Sequence, residues 1–268
     1  MGKLEGKRAV VLGAAGKDNM GQVIARRLVA EGAHVLVAGR KPEHLEAFVA
    51  ANPGKAYMAL ADITKEADND ALAQSAIEQM GGVDIAINAS GWGLLKPFLE
   101  TTEEELQQIS DLQFKGPFLF FQSMIEAMTE GGSLIQISSA TATIMLNDHA
   151  AYMGTKAGTD HVVRCIANEF GERGIRANSI SPGLTETPMT AANGKTPGLW
   201  EAFVPSYPLG RVGTSDDIAA AAVWLSSDEC FMTGQNLQVN GGLTLRRNPW
   251  KHEIQSAVMT AMQAQAAE

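Results

Sequence analysis

The chain predicts a doubly wound parallel α/β sheet, flanked by helices on both faces and folded as one domain. Three observations lead there. Short apolar runs alternate with longer stretches of helical periodicity, the pattern of crossover units whose parallel strands are buried on both faces. A glycine-rich turn closes the first apolar run and opens the first helical stretch. No repeat, low-complexity segment or linker divides the 268 residues, a length that suits one large domain.

Taken in order, residues 8–12 read as a buried strand and 21–31 as a helix with Val23, Ile24 and Leu28 on one face, stopped by Gly32. Residues 33–38 are a second strand and 42–51 a second helix. Residues 57–61, 85–88, 133–137 and 176–180 are further strands, separated by helical stretches at 66–80, 102–129 and 152–172. Thr102 with Glu105 forms a capping-box pattern at the head of the long middle helix. Residues 189–210, rich in Pro, Gly and small side chains, suit a mobile lid over a site. In the extension 246–268, Ile254, Val258 and Met262 recur every four residues, compatible with an amphipathic helix or a solvated tail. The catalytic domain is thus expected over 1–245.

Composition narrows the function. With 21 Lys+Arg against 30 Asp+Glu the formal charge is −9, which argues against a general nucleic-acid binder. No apolar run reaches the roughly 18 residues of a membrane span, and the first residues do not form a signal peptide, so a cytoplasmic protein is expected. Two cysteines, Cys165 and Cys230, are too few for a disulfide framework or a metal cluster, and both read as buried thiols; no metal site is expected.

Gly13, Gly16 and Gly21 follow the first strand and open a helix, where backbone N–H groups and the positive end of the helix dipole can receive a pyrophosphate. At the end of the second strand stands Gly39-Arg40-Lys41, where a site for unphosphorylated dinucleotide usually places an acidic residue. Arg40, with Lys41 and with Lys17 inside the glycine turn, favours a 2′-phosphate, hence NADP(H) over NAD(H). Tyr152 and Lys156 stand four residues apart and share a helical face. A free tyrosine titrates near ~10, too high for acid–base work at neutrality, and a neighbouring ammonium lowers that value. Ser139, thirteen residues upstream at the end of a strand, can donate a hydroxyl to a carbonyl or alkoxide oxygen.

In their order and spacing these landmarks resemble the classical short-chain dehydrogenase/reductases from about residue 4 to 245. The resemblance adds Asp62-Ile63 after the third strand, Asn88-Ala89-Ser90-Gly91 after the fourth, and Asn178-Ser179-Ile180-Ser181-Pro182-Gly183. It continues with Thr187-Pro188-Met189, Pro208-Leu209-Gly210-Arg211-Val212-Gly213, Thr233-Gly234-Gln235 and Val239-Asn240-Gly241-Gly242. The family implies a Rossmann-type fold and hydride transfer between a nicotinamide dinucleotide and an alcohol or ketone. It casts Tyr152 as general acid/base, Lys156 as ribose ligand and modulator of the tyrosine, and Ser139 as orienter of the substrate oxygen. Asp62 and Ile63 would meet the adenine, Asn88, Ala89 and Gly91 line the cofactor groove, and Thr187 hold the carboxamide. Met20, Pro182, Gly183 and Thr185 belong to the same implied groove.

Three departures stand out. The glycine turn is about two residues longer than usual, so that Asn19 falls where a second glycine is expected, a position that asks for tolerance of positive φ. Gln113 replaces the family's asparagine before Gly116-Pro117-Phe118, which implies a shifted proton relay, a slowed enzyme, or a relay lost in a binding protein. Asn88-Ala89-Ser90-Gly91 stands where the family usually has Asn-Asn-Ala-Gly, a tolerable change. The reading that follows is a carbonyl reductase. Its neighbours are a 3-oxoacyl-acyl-carrier-protein reductase and, from another class, a non-catalytic dinucleotide sensor; an enoyl reductase fits less well, because that branch spaces its Tyr and Lys seven apart. Trp92, Leu94, Met145, Met189, Trp200 and Phe203 predict an apolar pocket for a bulky or cyclic ketone, with His149 at its edge. The family also implies a homotetramer or homodimer built on the helices at 102–129 and 152–172; the extension 246–268 runs beyond the family's usual end and is expected to be able to pack on a neighbouring subunit.

Overall fold

A computed structural model describes residues 2–188, 190 and 196–267. Its centre is a seven-stranded parallel sheet: β1 (Arg8–Leu12), β2 (His34–Gly39), β3 (Ala56–Leu60), β4 (Ile85–Asn88), β5 (Gly132–Ile137), β6 (Ile175–Pro182) and, after a two-residue pair β7 (Thr185–Glu186) and β8 (Gly213–Thr214), the edge strand β9 (Asn236–Val239). The spatial order is β3-β2-β1-β4-β5-β6-β9. Successive side chains on a strand point to opposite faces, and β1 obeys this strictly. Ala9 and Val11 face one core with Ile24, Leu28 and Ile218; Val10 and Leu12 face the other with Leu72, Phe120 and Val163.

The first core is covered by α1 (Met20–Ala30), α2 (Glu43–Ala51) and α8 (Ser215–Ser226), the second by α3 (Glu66–Met80), α5 (Gly116–Ala127) and α6 (Ala150–Phe170). Apolar periodicity does not single out α8; its signal is the Thr214–Asp217 capping box, in which each side chain bonds the other's backbone N–H. The order in which strands are added reverses between β1 and β4, because β1 feeds β2 on one side and β4 lies on the other. Ligands of such sheets bind in the crevice at the carboxyl ends of those two strands.

Two expectations are corrected here. The stretch 102–129 is not one helix. It is α4 (Glu103–Ser110), capped by Thr102 and Glu105 as expected, then a π turn at Asp111–Lys115, then α5. Pro117 has no N–H to give the carbonyl of Gln113, so the α-helical ladder breaks there and Gly116 N–H reaches back to the Asp111 carbonyl instead. Cys230 is buried as expected, but Cys165 is exposed, on the outer side of α6.

The extension after β9 forms α9 (Lys251–Ala267), which resolves the alternatives of helix and tail. It lies against α7 (Leu199–Phe203), the helix of the segment expected to be a lid. Gly198, at φ +78°, leads into α7, and a Cβ there would stand 2.4 Å from the Ala257 carbonyl oxygen.

Candidate active site

The glycine turn runs from the end of β1 to the head of α1. Gly13 takes φ +97°, and a Cβ on it would come within 2.6 Å of the Ala89 and Ser90 backbone, so only glycine lets the β1 and β4 loops touch. The extra residues of the turn correct the expectation for Asn19. It sits at φ −70° as the N-cap of α1, while the left-handed residue is Asp18 at φ +53°. Asn19 Oδ1 accepts from Gln22 N (3.0 Å), and its Nδ2 donates to the Gly13 carbonyl (2.8 Å), so the amide braces the turn from within. Gly16 and Gly21 flank this brace, and Met20 opens the helix with its side chain partly buried against the core.

Lys17, Arg40 and Lys41 are all exposed at this end of the sheet. Arg40 lies close enough to Asp62 for its charge to help draw that carboxyl below the usual range, although burial opposes the shift and hydrogen bonds from Thr64 contribute more. Ile63 is buried in the core, and its carbonyl accepts from Asn69 Nδ2 at 3.0 Å. Asn88 is fully buried. Its Nδ2 donates to Gln136 Oε1 (2.9 Å), and its Oδ1 accepts from Ser90 N and Oγ (3.0 and 2.6 Å), which fixes the shape of the Ala89–Gly91 loop. On the far side, a Cβ on Gly183 would meet the Tyr207 hydroxyl at 2.5 Å, and that hydroxyl accepts from Leu184 N at 2.6 Å. Tyr207, a residue that sequence reasoning missed, thus anchors the Pro182–Thr185 turn; burial pushes its phenol up to about 12. Thr185 is buried with its hydroxyl on the Gly183 carbonyl, and Thr187 closes a tight turn with Thr190.

Between these loops lie Ser139, Tyr152 and Lys156. Lys156 is buried; its Nζ donates to the Ile137 carbonyl (2.8 Å) and lies 5.6 Å from the Tyr152 ring centre. Burial lowers its pKa to about 8, against the pull of Asp160 one turn further along α6. Burial raises the Tyr152 phenol, a hydrogen bond with Ser139 pulls it back, and Asp160 raises it further. Asp160 is a second residue not foreseen. It accepts from Ser138 Oγ (2.8 Å) and Asn236 Nδ2 (2.6 Å), tying α6 to β5 and β9, and burial raises its own pKa.

Gln113 is buried at the middle of the π turn. Its Oε1 accepts from Trp92 N (3.2 Å) and its Nε2 donates to Thr155 Oγ1 (3.2 Å), so the longer amide bridges the β4 loop to the tyrosine helix. The Gln113 carbonyl left free by Pro117 accepts from Thr159 Oγ1 at 2.6 Å. Gly91 completes this corner: a Cβ there would stand 3.1 Å from Gln113 Oε1 and 3.7 Å from Lys156 Nζ. The bare backbone beside the lysine, the crevice at the strand reversal and the glycine turn together fit a nicotinamide dinucleotide, its pyrophosphate on α1 and its ribose towards Lys156.

The expected pocket residues divide. His149 is buried, stacked on Tyr152 with ring centroids 4.2 Å apart, and its Nδ1 lies 2.7 Å from the Leu94 carbonyl. Burial lowers its pKa. Leu94 is buried and Trp92 half-buried in the same loop, whereas Met145 is 62% exposed. Trp200 packs at the edge of a small cluster of Ala140, Phe203, Tyr207, Val212 and Leu243. Phe203 belongs to that cluster's core, where it holds the lid helix down rather than facing a ligand. Met189 lies outside the described residues.

A family model described as enoyl-(acyl carrier protein) reductase matches residues 13–244. The chain is 35% identical over 251 residues to 3β-hydroxysteroid dehydrogenase 1 of Eggerthella lenta, covering 90% of this chain and 95% of that one. It is 33% identical over 252 residues to D-threitol dehydrogenase of Mycolicibacterium smegmatis, covering 91% and 95%. A solved short-chain type dehydrogenase/reductase from Mycobacterium ulcerans superposes with a TM-score of 0.88 at 29% identity, covering 96% of this chain and 98% of that one.

Proposed function

Since the chain belongs to the classical short-chain dehydrogenase/reductase family, we propose that it is an NADP(H)-dependent oxidoreductase that interconverts a ketone and a secondary alcohol, acting as a carbonyl reductase on a hydrophobic or cyclic substrate. The observation that carries this reading is the joint placement of Ser139, Tyr152 and Lys156 at the mouth of the crevice formed where the strand order reverses.

The dinucleotide supplies the hydride donor or acceptor. The chain supplies the rest. The Ser139 hydroxyl would donate to the substrate oxygen and set its direction. The Tyr152 hydroxyl would give its proton to that oxygen as negative charge builds there, and would take it back in alcohol oxidation. Lys156, held by the Ile137 carbonyl, stands where its ammonium would stabilise the phenolate that remains. Read from sequence, Gln113 leaves room for a sensor. Its two side-chain hydrogen bonds inside the site support an enzyme instead.

Arg40, exposed beside Asp62 at the adenine end, supports the 2′-phosphate preference. Half-buried Trp92 and Trp200 support an apolar substrate, while the named substrates of the relatives run from a hydroxysteroid to threitol. A homotetramer or homodimer is supported by Leu106, Phe114 and Phe118, all at least 41% exposed on the α4–α5 stretch. Among the described residues no helix is long and apolar enough to cross a membrane, in keeping with the proposed cytoplasmic location.

The test is turnover of NADPH with a panel of cyclic and acyclic ketones. Tyr152→Phe should lower kcat by about 10³-fold while the dinucleotide Kd stays within about twofold. Dinucleotide binding with no turnover of any carbonyl would reject the enzyme.

A further inference from the structure

The two walls of the substrate cleft are held by the same C-terminal segment. One wall is the loop 143–149, which follows Ser139 and ends at His149, the residue stacked on Tyr152. The other is the lid helix α7. Both walls pack on the small cluster of Ala140, Phe203, Tyr207, Val212 and Leu243 rather than on the two main cores.

For the loop, the support is the start of the extension. Asn248, itself 6% exposed, donates from Nδ2 to the Met145 carbonyl (3.1 Å). Lys251 donates from its backbone N to Asn147 Oδ1 (3.2 Å) and from Nζ to Asp148 Oδ2 (2.5 Å). Asp148 is one of two non-glycine residues with positive φ among the described residues, at φ +59°. A backbone held in that region needs its surroundings to over-determine it. Here the tail holds the Asp148 carboxylate from one side, and Lys96 N holds its carbonyl from the other at 2.6 Å. The next residue is His149.

For the lid, the support is the body of α9. The Ala257 carbonyl and the Ala261 methyl close directly over Gly198 at the head of α7. Ile254 packs on the cluster that joins Ala140, the neighbour of Ser139, to Phe203 of the lid. The segment is preorganised for both tasks: Arg247 pairs with Glu253 through two bonds of 2.7 and 2.8 Å and lies over the Trp250 ring.

We infer that residues 247–261 are a positioning element of the active site, acting within their own subunit, that sets the shape of the substrate cleft by clamping the His149 loop and the lid helix together. This rests on the oxidoreductase reading for its kinetic consequence, and on geometry alone for the clamp. The clamp meets the dinucleotide crevice only indirectly, through the cluster that holds Tyr207, so it governs substrate fit more than cofactor binding.

Two variants of the full chain address the two walls separately. Asn248→Ala removes the donor to Met145, and Ala261→Glu drives a carboxylate against Gly198. Each should raise the ketone KM about three- to tenfold with kcat and the NADPH Kd within about twofold, the signature of lost substrate positioning. Amide hydrogen exchange supplies a readout independent of turnover. Asn248→Ala should speed exchange across 143–152 and Ala261→Glu across 199–206, with β1, β4 and β5 unchanged. Unchanged exchange in both walls would overturn the clamp, and so would altered exchange with an unaltered KM. If the unaltered chain turned over no ketone, the oxidoreductase reading would fall, while exchange would still decide whether the clamp exists.

Discussion

The imidazole of His149 and the phenol of Tyr152 lie nearly parallel, with centroids 4.2 Å apart and planes inclined by 21°. Burial holds the imidazole below its ordinary pKa, and the Leu94 carbonyl resists that shift only in part. The unfolded chain therefore takes up this proton near pH ~6.5, the folded chain only at lower pH. The stability present above about 6.5 is lost as the pH falls through the folded value. The melting temperature should drop between about pH 7 and pH 5, and His149→Phe, which keeps a ring against Tyr152, should flatten that drop. An equal pH slope in both proteins would show that His149 is not the group responsible.

Lys156 follows the same sign of linkage in a higher pH window. With its pKa lowered to about 8, the ammonium is an unfavourable guest of the folded chain below that pH, and the penalty fades as the pH rises towards the unfolded value. Lys156→Met should accordingly melt higher at pH 7, by about 1–3 kcal/mol of stability, and lose the advantage near pH ~10. Its kcat should fall about 10²-fold or more. A variant that is both less stable and less active would show that the hydrogen bond to Ile137 outweighs the cost of burying the charge.

The proposed NADP(H) preference turns on Arg40. Arg40→Asp should weaken NADPH by about 10- to 100-fold, as expected when a charge-assisted pair is replaced by a like charge, and leave NADH unchanged or tighter. Fluorescence titration of both dinucleotides measures this directly. Equal weakening of the two would remove Arg40 from the 2′-position.

Gln113 makes two bonds that no shorter side chain spans. Gln113→Leu leaves the part-buried Trp92 N–H without its acceptor, and should cost about 1 kcal/mol in urea unfolding together with a fall in kcat. Gln113→Asn, able to keep one bond, should fall between. If Asn matched Gln in both assays, the reach of the longer amide would be irrelevant.

The sheet was legible in the chain because buried parallel strands are continuous apolar runs, and β1 and β4 fall where those runs fall. The positions of Tyr152, Lys156 and Ser139 were legible because each belongs to a local motif. What escaped depends on partners far away in sequence. The break at Asp111–Lys115 is stabilised by Thr159, 46 residues from Gln113. Phe203 reads the same in a pocket or a core until Tyr207 and Leu243 are placed around it. Asp160 looks like an ordinary helix-surface carboxylate until β9 brings Asn236 to it. The length of the glycine turn was visible, but not that Asp18 rather than Asn19 would take the left-handed backbone.

The π turn carries one further consequence, for insertions and deletions. A helix advances about 100° per residue, so the single residue accommodated at Asp111–Lys115 sets the rotation of α4 against α5. Deleting any one residue there would turn α5 by about 100° against α4. It would also swing Ile109 out of the core and carry the amide of residue 113 away from both Trp92 and Thr155. The segment should tolerate substitution of its exposed residues, yet no change of length, because its information is held in the count of residues as much as in their identity.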